Sequence, residues 1–321
     1  MELASRLGST HGGFTAGIVS GAGAGALWGL VFLAPELAKG FSPLQLTIGR
    51  YIAYGVISVG LIAPRWAMLR RSLAPGEWLT LSWLALTGNT AYYILLAAAV
   101  QIGGISMTSL VIGFLPVVVT IAGSRDRGAV PLRLLVPSLL LCAAGVFCIG
   151  WKAIAAPSSG DVTQQLVGLA CAVGALASWA WFAVGNSRAL SRTRTISAHE
   201  WSLLIGIATG VQALVLIPFS LAFEPVQHSA GDWANLAVVS IGIAVLASMV
   251  GNALWNRMSR LLPLTMVGQM ILFETLFALF YGFIWEQRLP NILEIAAFGL
   301  VTACVLSCIA AHRGNRHGAA G

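Results

Sequence analysis

Apolar and polar positions follow one another along this chain in long blocks. Each apolar block is about 20 residues or longer, the length that lets a helix cross the roughly 30 Å hydrocarbon core of a bilayer. Short polar stretches with glycine, proline or charged residues separate the blocks. The pattern predicts ten transmembrane helices, at approximately residues 14–38, 43–63, 77–100, 104–123, 132–151, 166–188, 198–221, 232–254, 262–285 and 290–311.

Two local features predict close packing between these helices. The third and fourth spans are separated only by the residues around Gln101–Gly104, so we expect a tight antiparallel link between them. In the first span, a glycine recurs at every fourth position, a spacing that lets another helix backbone approach closely. These glycines are Gly17, Gly21, Gly25 and Gly29.

Composition assigns the chain to the membrane proteins. Its 321 residues are 58% hydrophobic and only 9% charged, whereas soluble domains carry about 25% charged residues. A single soluble core could not bury so much apolar surface, but a helical bundle in lipid can expose it. The net charge of +7 does not indicate nucleic acid as a partner, because the Lys and Arg residues are scattered over short loops.

The residues that usually bind metals or cofactors are not arranged for that purpose. The five cysteines are odd in number and lie in apolar segments, which is typical of packing residues. The histidines lie near the termini or at loop edges, and there is no Walker A motif, zinc motif or nucleophile elbow. We therefore expect no metal, no cofactor and no enzymatic activity.

The positive residues predict the orientation of the chain. With the amino terminus inside, the outer segments hold Lys39, Lys152 and Arg288, and Arg50 lies within a span. The other fourteen lie in inner segments, at Arg6, Arg65, Arg70, Arg71, Arg125, Arg127, Arg133, Arg188, Arg192, Arg194, Arg257, Arg260, Arg313 and Arg316. Positive residues stay on the cytoplasmic side, so both termini are predicted to be cytoplasmic, in the plasma or inner membrane.

A faint internal repeat relates the two halves of the chain. The matches are Trp28 with Trp179 at an offset of 151, Ser42 with Ser197, Gly55 with Gly210 and Glu77-Trp78 with Asp232-Trp233 at 155, and Thr108 with Thr265 at 157. The halves, 14–151 and 166–311, would hold five spans each and insert in opposite orientations, because five is odd. Inverted halves are a common architecture of secondary transporters, with the binding site near the membrane midplane.

Several short motifs carry a resemblance to a known family. They are Leu27-Trp28-Gly29, Arg50, Ser109–Pro116, Gly145-Val146, Ser178-Trp179-Ala180 and the turn from Trp285 to Pro290. With these motifs the chain, from about residue 17 to 311, resembles the EamA-type transporters of the drug/metabolite transporter superfamily. The resemblance implies an all-α integral membrane protein of ten helices in two inverted five-helix repeats. It also implies a central cavity lined mainly by the first, third, fourth, sixth, eighth and ninth helices.

Two charged residues lie inside predicted spans. Glu274 is the only charge in the ninth span, where the family usually carries a proline equivalent to Pro116. A carboxylate at that depth costs on the order of 3 kcal/mol and usually marks a cavity or a proton relay; the alternative is a carboxyl that only packs between helices. Arg50 either snorkels outward and pairs with Glu36, or pairs with Glu274 or with an anionic group of a substrate.

Polar and aromatic residues within the spans are the other candidates for the cavity. Glu274, Arg50 and Glu36 are the candidates for coupling or gating, and Glu274 is also a cavity candidate. The remaining cavity candidates are Trp28, Asn89, Tyr92, Tyr93, Trp179, Asn252, Asn256 and Gln269. Asn252 and Asn256 share one helix face, and Trp28 is expected to meet Trp179. For each of them, the alternative is packing and hydrogen bonding between helices.

These features favour a secondary transporter. We expect it to export a small metabolite, amino acid-like or another small organic solute, by alternating access, with proton coupling as a further hypothesis. The alternative is a membrane channel or lipid scramblase, and a membrane-embedded enzyme is favoured less. The expected partners are the lipid bilayer and a small-molecule substrate, and a homodimer is left open.

Overall fold

The structure is a computed structural model that describes residues 2–123, 131–155, 162–193, 196–224, 227–285, 287, 289–290 and 292–318. The described residues form α-helices with short 3₁₀ and π-helical turns, and they contain no strand. The helices are α1 Glu2–Gly29, α2 Ala34–Leu37, α3 Pro43–Ile62, α4 Trp66–Ser72, α5 Pro75–Ala85, α6 Ala91–Ile112, α7 Leu115–Gly123, α8 Leu132–Ala155, α9 Val162–Arg192, α10 Ala198–Phe223, α11 Ala230–Ile243, α12 Asn252–Leu261, α13 Leu264–Met270, α14 Leu272–Trp285 and α15 Ile292–Gly318.

Six helical segments among the described residues are long and apolar enough to cross a membrane. They are Gly13–Leu37, Pro43–Ser72, Pro75–Gly103, Leu166–Arg192, Ala198–Phe223 and Ala230–Leu261, and two shorter apolar helices are Leu132–Gly145 and Leu272–Trp285. Large apolar side chains project from them, such as Leu79, which is 74% exposed, and Val238, which is 71% exposed. Such exposure suits a lipid environment. The predicted all-helical membrane architecture is confirmed at this level, and the count of ten spans stays a prediction.

Hydrogen-bonding side chains define where several of these helices begin. The Ser42 hydroxyl accepts from the Gln45 backbone N–H at 3.0 Å, while the Gln45 side chain accepts from the Ser42 N–H at 3.1 Å. Ser197 and Glu200 form the same reciprocal pair at the start of α10. Each arrangement satisfies backbone donors that the first helical turn leaves free, and a side-chain cap of this kind is worth about 1 kcal/mol.

Two long helical segments contain π-helical turns, at Leu86–Thr90 and Ala244–Gly251. A π-turn interrupts the regular helical hydrogen bonding and leaves carbonyl oxygens free for other partners. The Ser178 hydroxyl donates to the Thr87 carbonyl at 2.7 Å, and the Trp28 indole Nε1 donates to the Ala247 carbonyl at 3.0 Å. The turns are therefore tied to α9 and α1, and both lie beside the centre of the bundle.

The glycine ladder of α1 packs against α12, α13 and α14. A Cβ atom added at Gly25 would lie 2.8 Å from the Glu274 backbone nitrogen, and one added at Gly29 would lie 2.8 Å from that of Ala278. At Gly21 the same atom would meet Met258 and Met270. The close approach predicted from the sequence is confirmed. It brings the backbone on which Glu274 stands directly against α1.

The short link predicted at Gln101–Gly104 lies inside a helix. These residues are helical, because α6 continues from Ala91 to Ile112. Nevertheless Ala99 and Val111 belong to one small apolar cluster with Ala172. A straight helix would separate two residues twelve positions apart by about 18 Å, so the chain bends back within α6. The predicted short link therefore lies within a helical segment that bends, and the antiparallel arrangement of the two spans stays a prediction.

The helices pack as a bundle with two distinguishable ends. At one end, which we call the arginine end, Arg65 forms an ion pair with Glu200 at 2.9 Å, and the Arg260 Nη2 donates to the Ile196 carbonyl at 2.6 Å. At the opposite end, Phe41 and His228 stack with their ring centroids 4.1 Å apart. Within the bundle α3 packs on α10, α8 on α15, and α7 on α13.

Candidate functional site

A small cavity lies at the centre of the bundle, between residues of α1, α3, α6, α9, α12, α14 and the first π-turn. Its lining contains seven of the predicted site residues: Trp28, Arg50, Asn89, Tyr92, Trp179, Asn252 and Glu274. Val31, Tyr51, Gly88 and Phe182 complete it. The free volume is about 20 Å³, which holds little more than one water molecule. The structure therefore shows a closed cavity that must widen to hold an organic solute.

Arg50 is the positive charge of the cavity. Its side chain is only 6% exposed, and its Nε donates to the Ser248 hydroxyl at 2.9 Å. The guanidinium carbon lies 4.5 Å from the centroid of the Tyr93 ring and 5.0 Å from that of Tyr51. Stacking on aromatic faces stabilises a desolvated guanidinium. The buried Nη1 has no hydrogen-bond partner among the described residues.

Glu274 is the negative charge of the cavity, and it is 4% exposed. The ninth predicted span is broken at Ile271, and α14 begins at Leu272, which places Glu274 in the first turn of a new helix. The partial positive charge of a helix amino terminus favours a carboxylate there. Within the described part of the chain, neither a hydrogen bond to the Glu274 carboxyl nor an ion pair with Arg50 is present. Two opposite charges therefore share one buried cavity without direct contact.

Three tryptophans form a wall beside the cavity, and two of them, Trp28 and Trp179, line it. The ring centroids lie 5.4 Å apart for Trp28 and Trp179, 5.0 Å for Trp28 and Trp255, and 5.1 Å for Trp179 and Trp255. Phe182 extends this wall at 5.7 Å from Trp179. The predicted contact between Trp28 and Trp179 is confirmed. Such a wall offers a flat apolar surface to a bound group.

Polar side chains of the cavity are anchored to neighbouring helices. The Asn89 amide donates to the Thr209 hydroxyl of α10 at 3.1 Å. The Tyr54 hydroxyl, one turn after Arg50, donates to the Ser202 carbonyl of the same helix at 2.6 Å. These bonds tie α3 and the first π-turn to α10. The helical segments that carry Arg50 and Asn89 are thus held against α10.

Four predicted residues do not line the cavity. Tyr93 lies behind it, where its ring contacts the Arg50 guanidinium. Asn256, one turn beyond Asn252, accepts from the Asn186 amide at 2.7 Å. Gln269 precedes the break at Ile271 and faces α15, where its Oε1 lies 3.1 Å from the Cys304 sulfur. Glu36 forms an ion pair with Lys39 at 2.7 Å, so the expected pairing of Arg50 with Glu36 is wrong. Arg50 is a buried residue with partners of its own.

Sequence reasoning missed several residues of this site. Tyr51 and Phe182 line the cavity, Trp255 completes the tryptophan wall, and Ser248 holds Arg50. Helical spacing could have found two of them, because Trp255 lies three positions after Asn252 and Phe182 three after Trp179. Ser248 precedes Asn252 by four positions, but regular helical spacing does not hold there. It lies in the second π-turn, which shifts the helical register.

Contacts between neighbouring helices close both ends of the bundle. At the arginine end, Glu77 and Thr193 approach to 3.4 Å, in addition to the contacts of Arg65 and Arg260. At the opposite end, the Gln101 amide donates to the Phe41 carbonyl at 3.0 Å, and the Asn235 amide donates to the Leu37 carbonyl at 2.8 Å. The residues that line the central cavity are all buried, and these contacts join helices at both ends of the bundle.

The comparisons with known proteins concern nearly the whole chain. It is 31% identical over 312 residues to the inner membrane protein YtfF of Escherichia coli (strain K12), covering 90% of this chain and 93% of that protein. A solved crystal structure matches 91% of this chain and 98% of its own, with a TM-score of 0.68 and 16% identity. At that identity the match shows the fold alone. No family model matches the chain.

Proposed function

The chain belongs to the family of the inner membrane protein YtfF, and from this premise we propose that it is a secondary transporter of a small organic solute. The observation that carries the proposal is the closed central cavity, where Arg50 and Glu274 lie buried beside a wall of tryptophans. Intramembrane charges usually mark a substrate or proton pathway. A cavity between two closed ends fits alternating access.

The proposed architecture is ten spans in two inverted repeats, as in the EamA-type transporters. Capping interactions support it, because the pairs Ser42–Gln45 and Ser197–Glu200 are separated by the same offset of 155 residues as the matches in the sequence. The caps at Glu77 and Asp232 show this offset as well. Each half thus begins two of its helices in the same way.

The crossing of α3 and α10 gives independent support to the repeat. A Cβ atom added at Gly55 would lie 2.7 Å from the Gly210 Cα, and one added at Gly210 would lie 2.8 Å from the Gly55 Cα. The two glycines differ by the same 155 positions. Equivalent residues that meet each other are what a two-fold axis between inverted halves produces. Residues 14–151 and 166–311 are the proposed halves.

The proposed location is the inner membrane with both termini on the cytoplasmic side. Arg65, Arg260 and their partners meet at one end of the bundle, whereas Lys39 belongs to the opposite end. Positive residues stay in the cytoplasm, so the arginine end is assigned to that side. Export then moves a solute from the arginine end to the opposite end.

Glu274 is the proposed coupling residue. Its carboxyl sits in the cavity without a hydrogen bond from the described residues, so it is free to exchange a proton when the cavity opens to water. Arg50 carries one positive charge and balances one carboxylate at a time. Release of a solute to one side and of a proton to the other would then use the same cavity in turn.

Flux measurements in proteoliposomes test the proposal. The solute is first identified by comparing the extracellular metabolites of cells that overexpress the protein with those of cells that lack it. Purified protein is then reconstituted, and uptake of the labelled solute is measured with and without unlabelled solute inside. A transporter gives saturable uptake that internal solute accelerates. Linear flux without this acceleration would indicate a channel, and chemical conversion of the solute an enzyme; either result contradicts the proposal.

A further inference from the structure

The unpaired Nη1 of Arg50 is the most unusual polar atom in the cavity. It is buried and has no hydrogen-bond partner among the described residues, while Nε of the same side chain is held by Ser248. A buried donor without a partner is rare in folded proteins and costly when it is charged. The Arg50 side chain is thus held in place through Nε, and its Nη1 can donate a hydrogen bond to a ligand that enters the cavity.

We propose that Arg50 binds the carboxylate of the transported solute, so that the substrate class is small organic carboxylates. This inference rests on the proposed function, because only a cavity that opens can admit such a solute. A guanidinium presents parallel N–H donors that match the two oxygens of a carboxylate. The faces of Tyr51 and Tyr93 hold the guanidinium plane, and the tryptophan wall accepts the rest of the ligand.

The surrounding charges favour an anionic group at this position. Among the described residues that line the cavity, Arg50 is the only cation and Glu274 the only carboxylate. With no direct ion pair between the two, Arg50 keeps the capacity to receive an external anion. A neutral amide of the same shape would hydrogen-bond through one oxygen only, without the attraction of opposite charges.

Benzoate and benzamide test the inference, because they share a shape and differ in charge. Binding is followed by the intrinsic tryptophan fluorescence of the purified protein in nanodiscs. Benzoate is expected to bind at least about ten-fold more tightly than benzamide, since hydrogen bonds to charged groups are the strong ones. Equal affinities, or a lack of benzoate binding, would overturn the inference. Tighter binding of inorganic phosphate than of benzoate would also overturn it.

Variants then assign the preference to Arg50. Arg50→Gln should bring the affinities for benzoate and benzamide to within about two-fold of each other, as expected when a charged bond is lost. Arg71→Gln removes an exposed arginine near the arginine end and should keep the preference. A preference that persists in folded Arg50→Gln protein would place the anion elsewhere. Two outcomes separate this inference from the proposed function. Saturable transport together with equal affinities for benzoate and benzamide would overturn only the inference. Binding of benzoate by a protein that transports no solute would overturn only the proposed function.

Discussion

At the scale of single residues, Glu274 combines two properties that conflict in most membrane helices. Its carboxyl is buried, yet it stands in the first turn of α14, where the partial positive charge of the helix amino terminus favours a carboxylate. The break at Ile271 makes this position possible. The break thus carries an ionisable group.

Replacement of Glu274 by glutamine separates coupling from packing. Glu274→Gln keeps the size of the side chain, so the protein should fold, but it should lose export driven by a pH gradient while exchange of solute continues. The measurement is solute flux in proteoliposomes with and without an imposed pH gradient. Glu36→Gln is the comparison, and it should behave as wild type because Glu36 pairs with the exposed Lys39. Equal stimulation of wild type and Glu274→Gln by the gradient would contradict this prediction.

A second residue-scale prediction concerns the buried amide of Asn186. It donates to Asn256 at 2.7 Å and accepts from the Trp201 indole at 2.8 Å. Asn186→Ala leaves both partners unpaired and should lower the free energy of unfolding by roughly 1–3 kcal/mol. Asn235→Ala, which removes one exposed bond to Leu37, should cost less than about 0.5 kcal/mol. Chemical unfolding in mixed micelles measures the free energy of unfolding of both variants. Similar losses would show that the buried hydrogen bonds of Asn186 stabilise the protein no more than the exposed bond of Asn235 does.

The sequence singled out residues that differ from their apolar surroundings. Arg50, Glu274 and the tryptophan pair stood out for this reason, and the structure brings them to one cavity. The structure places Gln269 outside this cavity, because the helix break at Ile271 lies between Gln269 and Glu274. Uninterrupted helical spacing cannot anticipate such a break. Trp255 lies between Asn252 and Asn256, and as an apolar residue it differs less from its surroundings than these two polar neighbours do.

At the scale of helices, the ladder of α1 allows a matched comparison of glycines. A Cβ at Gly25 would approach the Glu274 nitrogen to 2.8 Å, whereas one at Gly282 in α14 meets nothing within 4 Å. Gly25→Ala should therefore lower the free energy of unfolding by about 1–3 kcal/mol, as overpacking does. Gly282→Ala should raise it by about 0.5–1 kcal/mol through helix propensity. Equal changes in the unfolding of the two variants would contradict the close packing.

Helix ends and interruptions differed in how far the sequence determined them. Ser42 and Ser197 begin their helices as local capping chemistry requires. The π-turns at Leu86–Thr90 and Ala244–Gly251 carried no comparable signal. These features depend on partners from distant helices, such as Ser178 and Trp28, which bond the carbonyls of the π-turns. Tertiary contacts decide them, and local preferences do not.

At the scale of the whole molecule, the two ends are closed by different chemistry. Hydrogen bonds and an ion pair join helices at the arginine end, while aromatic stacking of Phe41, His228 and Trp233 contributes at the opposite end. Arg65 is largely exposed, whereas its partner Glu200 is buried and also caps α10. Opening the arginine end would therefore separate a buried carboxylate from its partner. In the proposed orientation, this end is the one at which an exporter takes up its solute.

The orientation of the molecule is the last prediction, and it follows from the distribution of arginines. Ser72 and Ser191 are exposed near the arginine end, and Gln227 is exposed near the opposite end. Single cysteines at Ser72 and Ser191, in a protein whose native cysteines are replaced, should react only with reagents that enter the cytoplasm. A cysteine at Gln227 should react with an impermeant reagent added outside, because positive segments stay inside. Labelling of Ser191 and Gln227 positions from the same side would contradict the assigned orientation and the inverted repeat together, since both require α10 to cross the membrane between them.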